Sequence, residues 1–202
     1  MDERGMSIEH QTILLIEDDP TYRRFAEASL LKTGGWQGQI EAAGSLVDGL
    51  RLVTENPSIA LVLLDLGLPD SDGFDTFARV RDSAPECAIV VLTGRDDRDL
   101  AARAVRAGAQ DYIVKGSPRE RDLARACAYA IARKQGETAF RRMARQQAAV
   151  ASLGQRALSG CDNQELLQEA VAIVARTLGT KFAEVLEWPG REGAFLVRAA
   201  FG

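Results

Sequence analysis

Histidine is nearly missing from this sequence. His10 is the single example, and it sits in the polar opening stretch MDERGMSIEHQ. A kinase-type phosphohistidine motif is therefore excluded. The same stretch has no apolar central region and does not read as a secretory signal. No apolar run reaches the ~18 residues that a membrane-crossing helix needs. No ATP-binding, DNA-binding or cyclase signature is found either. The three cysteines, Cys87, Cys127 and Cys161, are odd in number and far apart. They suit reduced thiols in small, buried or half-buried positions rather than a disulfide framework or a metal cluster. These absences point to a cytoplasmic protein. Aromatic residues make up only 6% of the chain. Much of the apolar content is Ala, Leu and Val, which favours helices packed on a small sheet over a β-sandwich.

What is present is an ordinary apolar fraction, 46%, over 202 residues, enough for one or two domains with a sizeable core. Charge is unevenly placed. Residues 1–118 hold 20 acidic and 12 basic side chains, a balance of −8; residues 119–202 hold 9 and 13, a balance of +4. An acidic front half opposes nucleic-acid binding there and allows a cation site. The basic excess of residues 119–145 reads as a solvated helix face, with no nucleic-acid motif in it.

Short apolar runs alternate with helical patterns. Residues 12–17, TILLIE, read as a buried strand, and Pro20 opens a helix to Lys32 that Gly34 and Gly35 end. A strand over 39–43 leads to a helix capped by Ser45 and running to Glu55. Strands over 60–65, 88–92 and 111–114 are followed by helices over 73–82, over 98–107 and from Pro118. The alternation predicts an α/β fold, a doubly wound five-stranded parallel sheet with helices on both faces.

Ligands of such sheets sit beyond the carboxyl ends of the strands. Glu17, Asp18 and Asp19 follow the first strand, Asp65 ends the third, Thr93 follows the fourth and Lys115 the fifth. Glu17, Asp18 and Asp65 should therefore converge. Close carboxylates repel, and a hard divalent cation such as Mg²⁺ relieves them. An Asp carboxylate is a competent covalent acceptor of phosphate. A Thr hydroxyl and a Lys ammonium can hold the phosphoryl oxygens. Each element alone is commonplace; their joint placement at one sheet edge is not.

Beyond the fifth strand, residues 119–158 are helix-permissive. They carry an apolar stripe at Leu123, Phe140, Met143, Val150 and Leu153, interrupted near Gly136. One or two amphipathic helices, or a coiled coil, fit this pattern. A further helix follows, capped by Asp162 or Asn163 and stopped by Gly179. AEVLEW and AFLVRAAF then flank PGREG as a hairpin.

Residues 12–134 resemble the response-regulator receiver family of two-component signalling. ILLIEDDP is similar to its acidic first-strand motif and LVLLDLGLPDSDGF to its acceptor motif. VVLTG is similar to its fourth-strand segment and AGAQDYIVKGS to its fifth. The resemblance implies a flavodoxin-like sheet of order 2-1-3-4-5, with Asp65 as the phosphorylation site. It implies Mg²⁺ held by Asp18, Asp65 and the Gly67 carbonyl, with Glu17 acting through metal-bound water. Thr93 and Lys115 become the catalytic contacts to the phosphoryl group, and Thr93 and Tyr112 the switch. Asp19 is left as a start-of-helix residue, while Pro69 and Gly73 shape the acceptor loop. The implied partner is a histidine kinase or phosphotransfer protein. Residues 161–202 resemble the opening of a GAF sensor domain, much shorter than a whole one. The expected division is a disordered tail, 1–11; a receiver, 12–134; a helical linker and coiled-coil candidate, 135–160, that pairs two chains into a homodimer; and a truncated GAF-like segment, 161–202. Two other readings compete. An aspartyl-phosphate phosphohydrolase would carry a second catalytic acid where Gly67 stands. A purely structural receiver-like module would not need the acceptor residues intact. Both are weaker than a switch that is not itself an enzyme.

Overall fold

A computed structural model of the chain describes residues 11–32, 36, 38–94, 97–117, 120, 122–188, 190 and 194–202. Strand β1 (Thr12–Ile16) is wholly buried, and its alternation sorts side chains to the two faces of a sheet. Ile13 and Leu15 join Leu61, Leu63, Val90 and Leu92 in one apolar cluster, covered by Ala26, Leu30, Leu123, Cys127 and Ile131. Leu14 and Ile16 join Val62, Leu64, Ile89 and Val91 in the other, covered by Leu46, Phe77, Val80, Ala101 and Ala104. Near-continuous apolar strands are the signature of a sheet buried on both sides.

The remaining elements of this unit are α1 (Pro20–Lys32), β2 (Gln39–Ala43), α2 (Leu46–Glu55), β3 (Ile59–Asp65), β4 (Gly67–Leu68), β5 (Ser71–Asp72), α3 (Gly73–Ser83), β6 (Ala88–Thr93), α4 (Arg98–Arg106) and β7 (Asp111–Val114). The five long strands form one sheet of order β2-β1-β3-β6-β7, and each neighbouring pair is parallel. With the two-residue pair β4–β5 set aside, this is the expected flavodoxin-like 2-1-3-4-5 order. Ser45 caps α2 as expected, its hydroxyl accepting from the Asp48 amide. At Gly49 an added Cβ would lie 2.3 Å from Cδ1 of the buried Ile16, so a side chain there would displace the packing of α2 on the sheet. The helix stops expected at Gly34 and Gly35, and the helix start at Pro118, lie outside the described residues. Gln11, the first described residue, is buried, and its carbonyl accepts the Gln39 amide.

The chain divides into two compact units, Met1–Glu137 and Thr138–Gly202. Helix α5 (Leu123–Leu158) begins in the first and ends in the second; it is one 36-residue helix and does not break at Gly136. The second unit adds α6 (Asn163–Leu178), β8 (Ala183–Glu187) and β9 (Leu196–Phe201). Asp162 caps α6 and Gly179 stops it in a left-handed conformation, φ 65°. Strands β8 and β9 pair antiparallel. Of the turn PGREG between them, only Gly190 is described. Gln164 and Gln168 of α6 donate to the carbonyls of Arg198 and Ala200 on β9. No described helix is long and apolar enough to cross a membrane.

Candidate functional site

Parallel register brings the strand ends together. Ile16 pairs with Leu64, Asp65 with Leu92 and Thr93 with Val114. The residues that end or follow β1, β3, β6 and β7 therefore share one edge. Carboxylate oxygens of Glu17, Asp18 and Asp65 all lie within 4.8 Å of one another. Glu17 is buried, Asp65 half-buried and Asp18 exposed.

Lys115 is the counter-ion. Its Nζ lies 2.6 Å from Asp65 Oδ2 and 2.6 Å from Glu17 Oε2. The Asp65 contact is a hydrogen bond. Glu17 Oε2 has no hydrogen bond of good geometry, so that approach is ionic rather than directed. The Lys115 backbone is fixed by its amide bond to the Thr93 carbonyl, 2.8 Å. Nζ also lies 4.5 Å from the ring centre of Tyr22 on α1, a cation–π contact. Burial, reinforced by the charge of Asp65, pushes the Glu17 carboxyl up to about 7 against the attraction of the Lys115 ammonium. Burial works to lower Lys115, but its hydrogen bond to Asp65 and its ion pair with Glu17 outweigh that and raise it above the ordinary lysine range. Burial, with Glu120 beside it, raises the Tyr22 hydroxyl.

A divalent cation suits this cluster. The donors are hard carboxylate oxygens, and Glu17 is a buried acid whose second oxygen has no directed partner. Receiver domains generally bind Mg²⁺ at an acidic pocket of this kind. Asp19 is exposed and does other work: its Oδ1 accepts the Thr21 amide at 2.8 Å, opening α1. That bond holds its carboxyl below the ordinary range.

Thr93 is buried at the same edge, its hydroxyl 3.3 Å from the Gly94 carbonyl. Gly67 is exposed, and its amide donates to Asp65 Oδ1 at 3.1 Å. Tyr112 is half-buried against the core cluster that contains Phe77 and Ala101. No described contact joins it to the carboxylates. The thiols stand apart from the site: burial pushes Cys87 up to about 11 and Cys127 up to about 12.

Four contributors escaped the sequence reading. The Tyr22 ring lies under Lys115. Glu120 accepts the Gly116 amide at 2.8 Å, fixing the turn after Lys115. Thr76 holds the Leu66 carbonyl and the Ser71 hydroxyl. Asp70 reaches the start of α2. Tyr22 and Asp70 act across the fold, which no local spacing signals, whereas Glu120 and Thr76 brace turns within a few residues of themselves.

Comparison with known proteins agrees with this geometry. Residues 13–127 match the family described as "Response regulator receiver domain". Transcriptional regulatory protein AfsQ1 of Streptomyces coelicolor is 38% identical over 104 residues, 52% of this chain and 44% of that protein. Photosynthetic apparatus regulatory protein RegA of Cereibacter sphaeroides is 36% identical over 106 residues, 52% of this chain and 55% of that one. A cyclic di-GMP phosphodiesterase of Thermotoga maritima is 32% identical over 104 residues, 52% of this chain and 27% of that one. The chain thus spans about half or less of the curated relatives it matches. The crystal structure of a response regulator receiver domain protein from Clostridium thermocellum superposes with a TM-score of 0.54. It is 34% identical and covers 62% of this chain and 97% of its own. With matched residues, sheet order and acidic edge in agreement, the chain belongs to the response regulator receiver family.

Proposed function

We propose that Asp65 accepts a phosphoryl group from a histidine-phosphorylated kinase or phosphotransfer partner, and that the chain is a signalling switch rather than an enzyme with its own substrate. The carrying observation is Lys115 bridging Asp65 and Glu17 at the convergent strand ends. One Asp65 carboxylate oxygen forms a bond to phosphorus while the donor's P–N bond breaks. The imidazole leaves with the electron pair and takes up a proton from solvent. Asp18, Asp65 and the Gly67 carbonyl would hold Mg²⁺ directly and Glu17 through water; when bound, Mg²⁺ offsets the charge on the phosphoryl oxygens. Lys115 then pairs with one phosphoryl oxygen, and the Thr93 hydroxyl turns from the Gly94 carbonyl to donate to another. Tyr112 follows Thr93 inward.

The change passes into α5. Beyond Glu137 this helix exposes Phe140, Met143 and Val150, at heptad spacing for the last two. A second chain in parallel pairing would cover them. Residues 12–134 are the receiver, 135–160 the linker, and α6 with β8–β9 a GAF-like sensor portion. Incubating the protein with acetyl phosphate and Mg²⁺ tests the reading. Intact mass should rise by one phosphate in wild type and not in Asp65→Asn; equal labelling of both overturns it.

A further inference from the structure

We propose that Asp70 is a positioning residue for the metal-binding loop, a clamp that fixes the Gly67 carbonyl by tying the acceptor loop to the first turn of α2. The inference rests on the phosphoacceptor reading above and adds to it a residue that touches neither metal nor phosphate.

The first amides of a helix have no partner within it. At α2 the Ser45 hydroxyl takes the Asp48 amide, and the Ser45 carbonyl takes Gly49. That leaves Leu46 and Val47. Both are taken by one carboxylate from a distant loop: Leu46 N donates to Asp70 Oδ1 at 2.8 Å and Val47 N to Asp70 Oδ2 at 2.9 Å. Leu46 is fully buried, so its amide needs an internal partner. The anion also sits at the positive end of the helix dipole. These bonds hold the Asp70 carboxyl below its ordinary range.

The segment from Asp65 to Asp70 is thereby anchored at both ends. Upstream, the Leu66 carbonyl accepts from the Gly73 amide at 2.9 Å and the Thr76 hydroxyl at 3.2 Å, which ties it to α3. Downstream, Leu68 is buried and Asp70 is tied to α2. Gly67 lies between. It has no side chain, and an added Cβ there would meet nothing within 4 Å. No side-chain packing sets the direction of its carbonyl; that direction follows from its pairing with Asp72 across β4 and β5, its amide bond to Asp65, and the two anchors that hold this short turn in place. Mg²⁺ demands near-ideal octahedral placement of its ligands, so slack at one anchor reaches the metal site.

The test is calorimetric titration of the full 202-residue chain with Mg²⁺ alone, beside amide hydrogen exchange of the metal-free protein. Asp70→Ala should raise the Mg²⁺ Kd about tenfold, the lower end for groups that orient metal ligands, and should speed exchange at Gly67. Asp70→Asn, which keeps one acceptor oxygen, should fall between wild type and alanine. Ser45→Ala frays the same helix start without touching the loop. It should lower the Tm as Asp70→Ala does while leaving the Mg²⁺ Kd and Gly67 exchange at wild-type values. If Asp70→Ala unfolds, Asp70→Asn against Ser45→Ala decides by the same two readouts. Equal Kd values for wild type and the Asp70 variants overturn the clamp alone. So does an equal loss in Ser45→Ala, which would make Asp70 a plain helix cap. A wild type that binds no Mg²⁺ overturns the reading of the site and the clamp with it.

Discussion

In the receiver unit, Leu14, Leu63 and Val90 are 0% exposed, whereas in the second unit Phe140 is 73% exposed and Phe182 72%. Both regions are rich in Ala, Leu and Val. The first closes its apolar residues between a five-stranded sheet and helices on both faces. The second sets α6 on a two-stranded sheet beyond the end of α5, and its buried apolar residues, among those described, are Val171, Ala175 and Ala199. The comparison separates a region whose chemistry stands on its own core from one whose apolar side chains lack cover within the described residues.

The largest contrast should be in core truncation. Leu63→Ala should cost about 2–5 kcal/mol, the range for a buried leucine that leaves a cavity. Leu178→Ala, on the exposed end of α6, should cost less than about 0.5 kcal/mol. Urea denaturation measures both, and similar costs would break the comparison.

Assembly sharpens it next. If a second chain covers the C-terminal half of α5, wild type should scatter light as a dimer, and Met143→Glu with Val150→Glu as a monomer. The receiver's phosphorylation should be unchanged. A monomeric wild type would remove the coiled coil from the account.

A smaller effect separates the acidic edge from the rest of the receiver. Burial pushes the Glu17 carboxyl up from its ordinary 4.5 to about 7 on folding. Between those values the folded chain holds more protons than the unfolded one, so stability without metal should fall as pH rises through that window and level off above it. Lys115, raised above its ordinary range, loses its contribution only at still higher pH and leaves the window untouched. Glu17→Gln should flatten the slope, and Mg²⁺ should offset it by favouring the carboxylate. A slope unchanged in Glu17→Gln would assign the titration elsewhere.

The smallest effect concerns Tyr22. Tyr22→Phe keeps the π face under Lys115 and should label with acetyl phosphate at the wild-type rate. Tyr22→Leu should label about two- to fivefold more slowly, the value of a partly exposed cation–π contact. Equal rates for Phe and Leu variants would make Tyr22 a packing residue.

Local chemistry was legible from the sequence. Pro20 opens α1, Ser45 caps α2, Asp162 caps α6 and Gly179 stops it, because each satisfies or ends a helix by its own backbone or side chain. The parallel sheet and the convergence of Glu17, Asp18, Asp65 and Lys115 followed from βαβ alternation and the strand ends, while the strand order came with the resemblance to receivers. The contacts that brace the site did not. Asp70 finds Leu46 and Val47, and Tyr22 finds Lys115, only once the sheet is assembled. The uninterrupted α5 was also hidden. Glycine inside a helix costs up to about 1 kcal/mol, but Gly136 crowds nothing, and the Arg133–Glu137 ion pair at 3.1 Å spans it.

The central claim is that one carboxylate, Asp65, takes the phosphoryl group. Borohydride reduction of the acetyl-phosphate-treated protein converts an aspartyl phosphate to homoserine, which peptide mass mapping can place. Homoserine is expected at position 65, dependent on Mg²⁺. Homoserine at Asp18 or another acid instead, or none after treatment, would contradict it.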